Sequence, residues 1–409
     1  RSVSYYQNRL FFGNTKSLQD VIFGSRVNAF TNFDTGSGSD VDALIYNIGK
    51  SDTGGIVAIN PGKQLEIYTQ NYEFACPQEQ SVGLTPATFS IRQQSSTGSN
   101  AVMKPISYLN DSYYASKAGS SIINFHFNGV GLAYSSNNVS IASQHLVKNP
   151  INRALQRSTA SSQNSYIYFL NEDRTLTSFQ FTSEFKDNAV PVAALTPITF
   201  DDDMITIDII SVNDQVYLLN YYSLTEVYLL EVFTDEIISG PSQIFLDSMQ
   251  SRAISDDGVI TGLDYYNGYY MEVVANGQDF GSFLVADGEI IVNDSRIFGM
   301  SCYVGLLFDV YIESMDYFAG ADATDALKLV TQLYVDYYRS LDFQVNGIRV
   351  PYETFSDIQN QVPIQVQTGR QKQGVEGGWQ LQDSAKITQS APFDLQISAI
   401  RYQIAAVLI

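Results

Sequence analysis

The sequence has 409 residues and a mass of 45.4 kDa; 44% of the residues are hydrophobic and only 16% are charged. This length suffices for two or three domains, and the apolar content excludes a disordered chain. Acidic residues outnumber basic ones by 43 to 23, which gives a formal charge of −20. Such a surface repels phosphate, so it disfavours sequence-specific nucleic-acid binding and docking on anionic lipid.

Composition favours strands over helices. Tyr (27) and Phe (24) are abundant, and Ser, Asn, Gln, Thr and Gly replace many of the usual charges. No apolar run of about 18 residues occurs, so we expect no membrane span. The chain opens with Arg-Ser-Val-Ser, and we expect that an upstream segment was cleaved or is a separate part of the molecule.

Two similar segments lie in the first part of the chain. Residues 166–171 and 216–220 each form an apolar run that ends in Asn, and further apolar runs follow at 176–181 and 227–230. Both predict a strand, a turn and a second strand. A spacing of about 50 residues is typical of β-propeller blades, so residues 1–295 predict a propeller of about six blades.

Alternation of apolar and polar residues predicts strands elsewhere, with apolar residues on the buried face. It occurs at Ile205–Ile209, Leu327–Val335, Ile364–Val366 and Phe393–Ile397. Two-residue hairpin turns need positive φ, which Asn-Gly and Asp-Gly supply. The predicted turns are Asn267-Gly268, Asp287-Gly288 and Asn346-Gly347.

Helices are expected to be few. Ser140–Val147 predicts a short helix, and Ser314–Ala326 predicts one or two helical turns. The strands lengthen after residue 296, so we place a domain boundary there. Residues 296–409 are expected to form a β-sandwich-like platform domain.

Candidate chemistry is sparse. His126 and His145 are the only histidines, and neither has a Cys or a second His at the spacing of a zinc site. The sequence also has no Gly-x-Ser-x-Gly nucleophile elbow, which would support a catalytic triad. We expect both to be hydrogen-bonded structural residues. The run Asp201–Asp203 offers ligands for calcium, but a solvated loop is the preferred interpretation. Nucleotide-binding loops are absent, and the lone Trp379 is a poor basis for a carbohydrate cleft. We therefore expect no catalytic, cofactor-binding or metal-binding residue, and no enzyme.

Several other residues have a structural and a functional interpretation. Cys76 and Cys302 allow one disulfide, but two buried free thiols are preferred. Glycosylation sequons begin at Asn110, Asn138 and Asn293 and matter only in a eukaryotic secretory setting. Adjacent tyrosines on a strand face opposite sides, so each pair should place one ring inward and one outward, where it is available to a subunit interface. These pairs are Tyr113-Tyr114, Tyr221-Tyr222 and Tyr337-Tyr338.

Several blocks of sequence, in order along the chain, resemble the nozzle, or tail tubular protein B, family of short-tailed bacteriophages. They are Tyr5–Gly13, Val21–Ser25, Phe30–Phe33, Thr69–Phe74, Leu84–Gly98, Asn138–Ser140 with His145-Leu146, Tyr303–Leu306 with Glu313, and Pro392-Phe393. Two departures are a missing stretch before Tyr5 and the presence of Tyr72 and Phe74 where the family has Trp.

The resemblance implies a six-bladed propeller that carries a platform domain, assembled as a homohexameric ring in the phage tail. It implies contacts with the portal and adaptor proteins, the tail fibres and the host outer surface. Viral double-stranded DNA would pass through the lumen without sequence-specific binding, during genome ejection past a tail-closing gate. It implies no catalytic residue and no cofactor.

Two other classes of protein remain open. A secreted propeller lectin or glycoside hydrolase would need an aromatic or carboxylate-lined sugar cleft. A host-binding tail fibre or spike would form a slender trimer.

Overall fold

The structure is a computed structural model that describes residues 2–50, 52–77, 83–129, 131–158, 165–181, 193–233, 244–314, 327–351, 366–374 and 384–407. Within these ranges the regular elements are 32 β-strands and short 3-10 helices at Gln144–Leu146, Asp264–Tyr266 and Ser295–Ile297. The predicted all-β class is therefore confirmed. No helix in the described ranges has both the length and the hydropathy that a membrane span requires.

The helix predicted over Ser140–Val147 is wrong, because only the 3-10 turn Gln144–Leu146 forms there. Ser140 and Ser143 belong to this segment, and serine side chains compete with helix formation by forming hydrogen bonds with the backbone. Ser140 accepts a hydrogen bond at Oγ from the amide of Ile122, at 2.9 Å. The helical turn predicted over Ser314–Ala326 lies, from residue 315 onward, outside the described residues.

The chain divides into two compact units. Unit 1 comprises Arg1–Thr199, Thr206–Asn220 and Leu230–Glu236, and unit 2 comprises Phe200–Ile205, Tyr221–Leu229 and Ile237–Ile409.

Four antiparallel sheets of four strands follow one another along unit 1, and in each of them neighbouring strands are consecutive in sequence. The first sheet contains β1 (Ser2–Tyr6), β2 (Arg9–Gly13), β3 (Val21–Gly24) and β4 (Leu44–Asn47). The second contains β5 (Ile56–Pro61), β6 (Leu65–Thr69), β7 (Glu73–Cys76) and β8 (Arg92–Ser95). The third contains β9 (Ile106–Tyr108), β10 (Asp111–Ala115), β11 (Ile122–Asn128) and β12 (Ala133–Asn138). The fourth contains β13 (Asn152–Gln156), β14 (Tyr166–Leu170), β15 (Leu176–Phe181) and β16 (Ala193–Ile198).

These sheets pack face to face in chain order. Phe11 and Ile22 of the first sheet share a core with Ile67 of the second. On the opposite face of the second sheet, the ring of Tyr68 lies 5.0 Å from that of Tyr114 in the third. The third sheet then packs on the fourth through a core that contains Tyr113, Ile122, Ile167 and Phe179. Both faces of the second and third sheets are therefore buried, as is required of a sheet that lies between two others.

A three-stranded sheet follows, made of β17 (Met204–Val212), β18 (Gln215–Tyr222) and β19 (Val227–Val232). The strand predicted at Ile205–Ile209 is present, but the predicted buried face is wrong at its start. Ile205 is exposed, whereas Thr206 is buried and donates a hydrogen bond to Asn220 Oδ1 at 2.9 Å. Thr206 can lie on the buried face because its hydroxyl group and the side-chain oxygen of Asn220 satisfy each other's hydrogen-bonding capacity.

Both sequence segments compared above form antiparallel strand pairs. β14 pairs with β15 from Tyr166↔Gln180 to Leu170↔Leu176. In the second segment the sequence predicted that Asn220 begins the turn. Asn220 instead lies inside β18 and is 2% exposed. Its amide donates to Glu231 Oε2 at 2.6 Å, so its role is cross-strand pairing.

The strands that follow β19 all lie in unit 2. They are β20 (Asp247–Ala253), β21 (Val259–Thr261), β22 (Tyr270–Ala275), β23 (Gln278–Leu284), β24 (Glu289–Ile291), β25 (Ser301–Leu306), β26 (Val310–Glu313), β27 (Leu327–Ser340), β28 (Gln344–Val345), β29 (Ile348–Arg349), β30 (Gln367–Gly374), β31 (Lys386–Gln389) and β32 (Ile397–Val407). Their sheets have the orders β20-β25-β22-β23, β21-β24, β26-β31-β28-β29 and β30-β27-β32. The first of these sheets continues to Leu306, past the predicted boundary at residue 296, and the division into propeller and platform stays a prediction.

Two of the three predicted hairpin turns are confirmed. Asp287-Gly288 has φ values of 53° and 75°, and Asn346-Gly347 has 49° and 77°, as a type I′ turn requires. Asn267-Gly268 is not a hairpin turn. Asn267 has a φ of −54° and follows the 3-10 turn Asp264–Tyr266, so the tyrosines before it are not in a strand.

The long strand predicted from Leu327 is present as β27, with Leu333 and Val335 buried. The strand predicted at Phe393–Ile397 begins only at Ile397, and Asp394, expected on the polar face, is 1% exposed. The reason is that residues 393–394 enter the core instead of alternating across a sheet. Ile364 lies outside the described residues, and Val366 precedes β30.

Gly98 should be one of the least replaceable residues in unit 1. Its φ is +76°, and a Cβ would lie 2.2 Å from the carbonyl oxygen of Gln70. Gly38 has a similar φ of +86° but no atom within 4 Å of a Cβ position. A substitution at Gly38 therefore measures the cost of the backbone strain without a steric clash. We expect Gly98→Ala to lower the free energy of unfolding by about 3 kcal/mol and Gly38→Ala by about 1 kcal/mol, measured by urea denaturation. Equal losses of unfolding free energy in the two variants would contradict the close contact between Gly98 and the Gln70 carbonyl.

Candidate functional site

The two histidines lie on different elements and have different surroundings. His126 lies on β11 opposite Asp111 of β10, and its Nδ1 is 2.6 Å from Asp111 Oδ1. His145 is exposed in the 3-10 turn Gln144–Leu146. Across the described ranges, no group of three or more His, Cys, Asp or Glu side chains is arranged to hold a metal ion. His126 is thus a hydrogen-bonded strand residue, as predicted.

The acidic run at Asp201–Asp203 forms a turn stabilised by its own backbone. The amide of Asp203 donates to Asp201 Oδ1 at 3.0 Å, and the amide of Met204 donates to the Asp201 carbonyl at 2.9 Å. Ser223 Oγ donates to Asp203 Oδ1 at 2.7 Å. These carboxylates therefore order a turn at the start of β17.

Cys76 and Cys302 are both buried free thiols, as preferred from the sequence. Burial raises the pKa of each thiol to about 11. A thiol that stays protonated at neutral pH is a poor nucleophile and a poor metal ligand. Both cysteines belong to apolar cores, which accounts for their positions.

The prediction that each tyrosine pair places one ring inward and one outward is wrong for Tyr113-Tyr114. Both side chains are buried, at 2% and 0% exposure, because the third sheet is covered on both faces. Tyr113 packs 5.3 Å from Phe179, and Tyr114 packs on Tyr68. The prediction holds for Tyr337-Tyr338, in which Tyr337 joins the core and Tyr338 is 51% exposed.

Three of the blocks that resemble the nozzle family, Tyr5–Gly13, Val21–Ser25 and Leu84–Gly98, contact one another. Tyr5–Gly13 is the hairpin β1–β2, and the guanidinium of Arg9 is fully buried. Arg9 Nε donates to the carbonyl of Leu84 at 3.2 Å, and its Nη1 donates to the carbonyls of Ser25 and Asp42, both at 2.6 Å. Gln7 Oε1 accepts from the amide of Leu84 at 3.0 Å. The blocks thus serve the packing of the first two sheets.

Sequence reasoning missed a pair of buried carboxyl groups between the second and third sheets. Glu66 and Glu73 lie on adjacent strands and are both 0% exposed. Asn60 Nδ2 donates to Glu66 Oε2 at 2.7 Å, and Tyr68 Oη donates to the same oxygen at 2.8 Å. Ser95 Oγ donates to Glu73 Oε2. Among the described residues, no group donates to Oε1 of either carboxyl.

Burial raises the pKa of both carboxyl groups above the ordinary value of 4.5, although their hydrogen bonds act in the opposite direction. A carboxyl group without a cationic partner in such a place favours its neutral form. The signal in the sequence is a single acid inside an otherwise uncharged strand, Leu65–Thr69, all of whose residues are buried. These groups have a structural place between sheets and are not accessible to a substrate.

A shallow cavity of about 490 Å³ lies between loops of the third and fourth sheets. Lys148 Nζ is 2.7 Å from Asp173 Oδ2, and Asn149 Nδ2 donates to Glu172 Oε2 at 2.8 Å. The lining residues are Ala118, Gly119, Ser120, Val147, Lys148, Asn149, Glu172 and Asp173. The lining offers no aromatic ring for stacking on a sugar.

An acidic stretch of unit 2 lies between Arg252 and Arg296. This stretch has no lysine or arginine, and its acids are Asp256, Asp257, Asp264, Glu272, Asp279, Asp287, Glu289 and Asp294. Strands β21 and β24 pair at its centre through Thr261↔Glu289 and Val259↔Ile291. We call this pair with its flanking turns, residues 255–264 and 286–292, the acidic ribbon. Its exposed acids are Asp256, Asp257, Asp264, Asp287 and Glu289.

Glu272, on the neighbouring strand β22, should make stability depend on pH. Burial, then a hydrogen bond with Asp279, raises its pKa from 4.5 to about 7. The folded protein therefore binds more protons than the unfolded chain between those values, and stability falls as pH rises from 4.5 to 7. Glu272→Gln keeps an acceptor for Ser282 Oγ and a donor for Asp279, so it should remove the contribution of Glu272 to this decline, which is at most about 3 kcal/mol.

The measurement is urea denaturation at pH 5 and pH 8 for the wild type and Glu272→Gln. Glu289→Gln, at an exposed carboxyl of the same unit, is the matched control and should keep the wild-type pH dependence. An unchanged pH dependence in Glu272→Gln would contradict the assignment.

Comparison with protein-family models and with curated proteins finds no match to this chain.

Proposed function

We propose that the chain is a structural, non-enzymatic component of a short-tailed phage virion, the tail nozzle, and that it forms a conduit for genome ejection. The observation that carries the proposal is an acidic surface on a scaffold of stacked antiparallel sheets. A conduit needs stiff walls and weak contacts with the DNA that passes through it. The stacked sheets would supply the stiffness, and the acidic surface would keep contacts with DNA weak.

The scaffold supports a six-bladed propeller in the first part of the chain. Four sheets of four strands follow each other from Ser2 to Ile198 and pack through shared cores. The sheet β17–β19 and the sheet that contains β20, β22, β23 and β25 would be the fifth and sixth blades. The C-terminal sheets around the core of Leu333, Val335 and Ile387 would then form the platform domain.

The ordered blocks of sequence similarity support the family. The contact between the Arg9 guanidinium and Leu84 gives two of these blocks a common physical purpose, because both are needed to close the core between the first two sheets. By this proposal the chain forms a homohexameric ring beneath the portal and adaptor proteins, and the ring meets the tail fibres and the host outer surface.

The rival classes have less support. The cavity beside Lys148 is lined without an aromatic ring, so it does not favour a lectin. Glu66 and Glu73 are buried between sheets, so this pair of carboxyl groups does not favour a glycosidase, which needs two carboxyl groups accessible to a sugar. Nothing in the described residues favours a slender trimeric fibre.

The charge of −20 per chain makes a direct test possible. Purified protein should not retain duplex DNA on a nitrocellulose filter at low ionic strength, because unscreened carboxylates repel phosphate most strongly there. A basic duplex-binding protein under the same conditions is the positive control. Tight retention that salt releases would overturn the conduit proposal.

A further inference from the structure

One face of the sheet β30-β27-β32 carries more basic than acidic side chains among its described residues. On β27, Tyr334 lies between Lys372 of β30 and Arg401 of β32, and Asp336 lies opposite Arg370 of β30. Residues two apart on a strand point to the same side, so these five residues share one face. The opposite face of β27 presents Leu333 and Val335 to the core. We call the outward side the basic face.

The basic face has more positive charge than its one carboxylate neutralises. Asp336 Oδ1 accepts from Arg370 Nε at 2.5 Å, and Arg401 Nη2 is 2.8 Å from Asp336 Oδ2. Lys372 Nζ lies 5.8 Å from the centre of the Tyr334 ring. Among the described residues of this face, three cations against one carboxylate leave a local excess of positive charge on a chain whose total is −20.

The cations of this face are accessible. The side chains of Arg370 and Arg401 are 51% and 58% exposed although both contact Asp336. Each guanidinium carries five N–H donors, so each can bind a further carboxylate. Tyr338, on the same side of β27, is 51% exposed and extends the face with an apolar ring.

The acidic ribbon has complementary properties. Its exposed acids flank Ile291, which is 62% exposed on the outward side of β24. Leu263 donates its amide to the Gly288 carbonyl at 3.0 Å, which holds the turn with Asp287 beside Asp264. An apolar centre with a charged margin is the usual composition of a protein interface, and the basic face has the same layout with opposite charge.

We propose that the basic face of one copy of the chain binds the acidic ribbon of a second copy, and that this contact builds the ring. The inference rests on the proposed function, since it identifies the surfaces that join its subunits. Two different surfaces of one chain form a head-to-tail contact, which produces a closed ring when the rotation between copies closes. Duplex DNA fits the basic face less well, because Asp336 lies among three cations where a phosphate track requires a continuous row of them.

The test is a charge exchange between the two surfaces, read as oligomer mass by sedimentation velocity. K372E/R401E reverses the basic face but keeps the Asp336–Arg370 ion pair, and D287K/E289K reverses the acidic ribbon. Each double variant should raise the dissociation constant of the assembly about tenfold or more, with the strongest effect at low salt. The variant that carries all four substitutions restores opposite charges and should return to within about threefold of wild type.

K16E/K104E is the matched control, because it reverses two exposed lysines of unit 1 and should assemble as the wild type does. Urea denaturation of every variant separates loss of assembly from loss of folding. For folded variants, wild-type assembly of K372E/R401E, or no recovery in the fourfold variant, would overturn the inference.

Two outcomes distinguish this inference from the proposed function. A ring that persists in K372E/R401E overturns only the assigned surfaces. A wild type that stays monomeric at every concentration, or binds duplex DNA in a way that K372E/R401E abolishes, overturns both.

Discussion

The structure of unit 1 depends on burying both faces of its sheets. A sheet with one exposed face can alternate apolar and polar residues, but a sheet between two others must place side chains of both directions in a core. In the second sheet, Ile67 and Tyr68 of β6 point to opposite faces and enter different cores. In the third sheet, Tyr113 and Tyr114 of β10 do the same. The same constraint places Glu66 and Glu73 out of water and raises their pKa values.

This constraint also explains what the sequence could and could not predict. The turns at Asp287-Gly288 and Asn346-Gly347 were predictable because their conformation is fixed by two adjacent residues. The orientation of Tyr113, Tyr114 and Thr206 was not, because it depends on which sheets lie against them. Asn267-Gly268 has the composition of a hairpin turn, but the preceding Asp264–Tyr266 adopts a 3-10 turn, which the local pattern does not reveal.

The basic face and the acidic ribbon are distinguished by their charge more than by their shape. The sequence predicts an acidic protein but not where its few cations gather, because Arg370, Lys372 and Arg401 come from two strands that meet only through β27. The acidic ribbon was in principle visible as a stretch free of lysine and arginine. Its counterpart required the register of a three-stranded sheet. The expected lack of catalytic residues stays a prediction.

The central claim is that the chain assembles into a ring that surrounds a channel. Negative-stain electron microscopy of the purified protein at moderate ionic strength, with class averages viewed along the particle axis, tests it most directly. The account predicts six-fold symmetric rings with a central pore. Monomers with a single cleft, or slender three-fold particles, would contradict it.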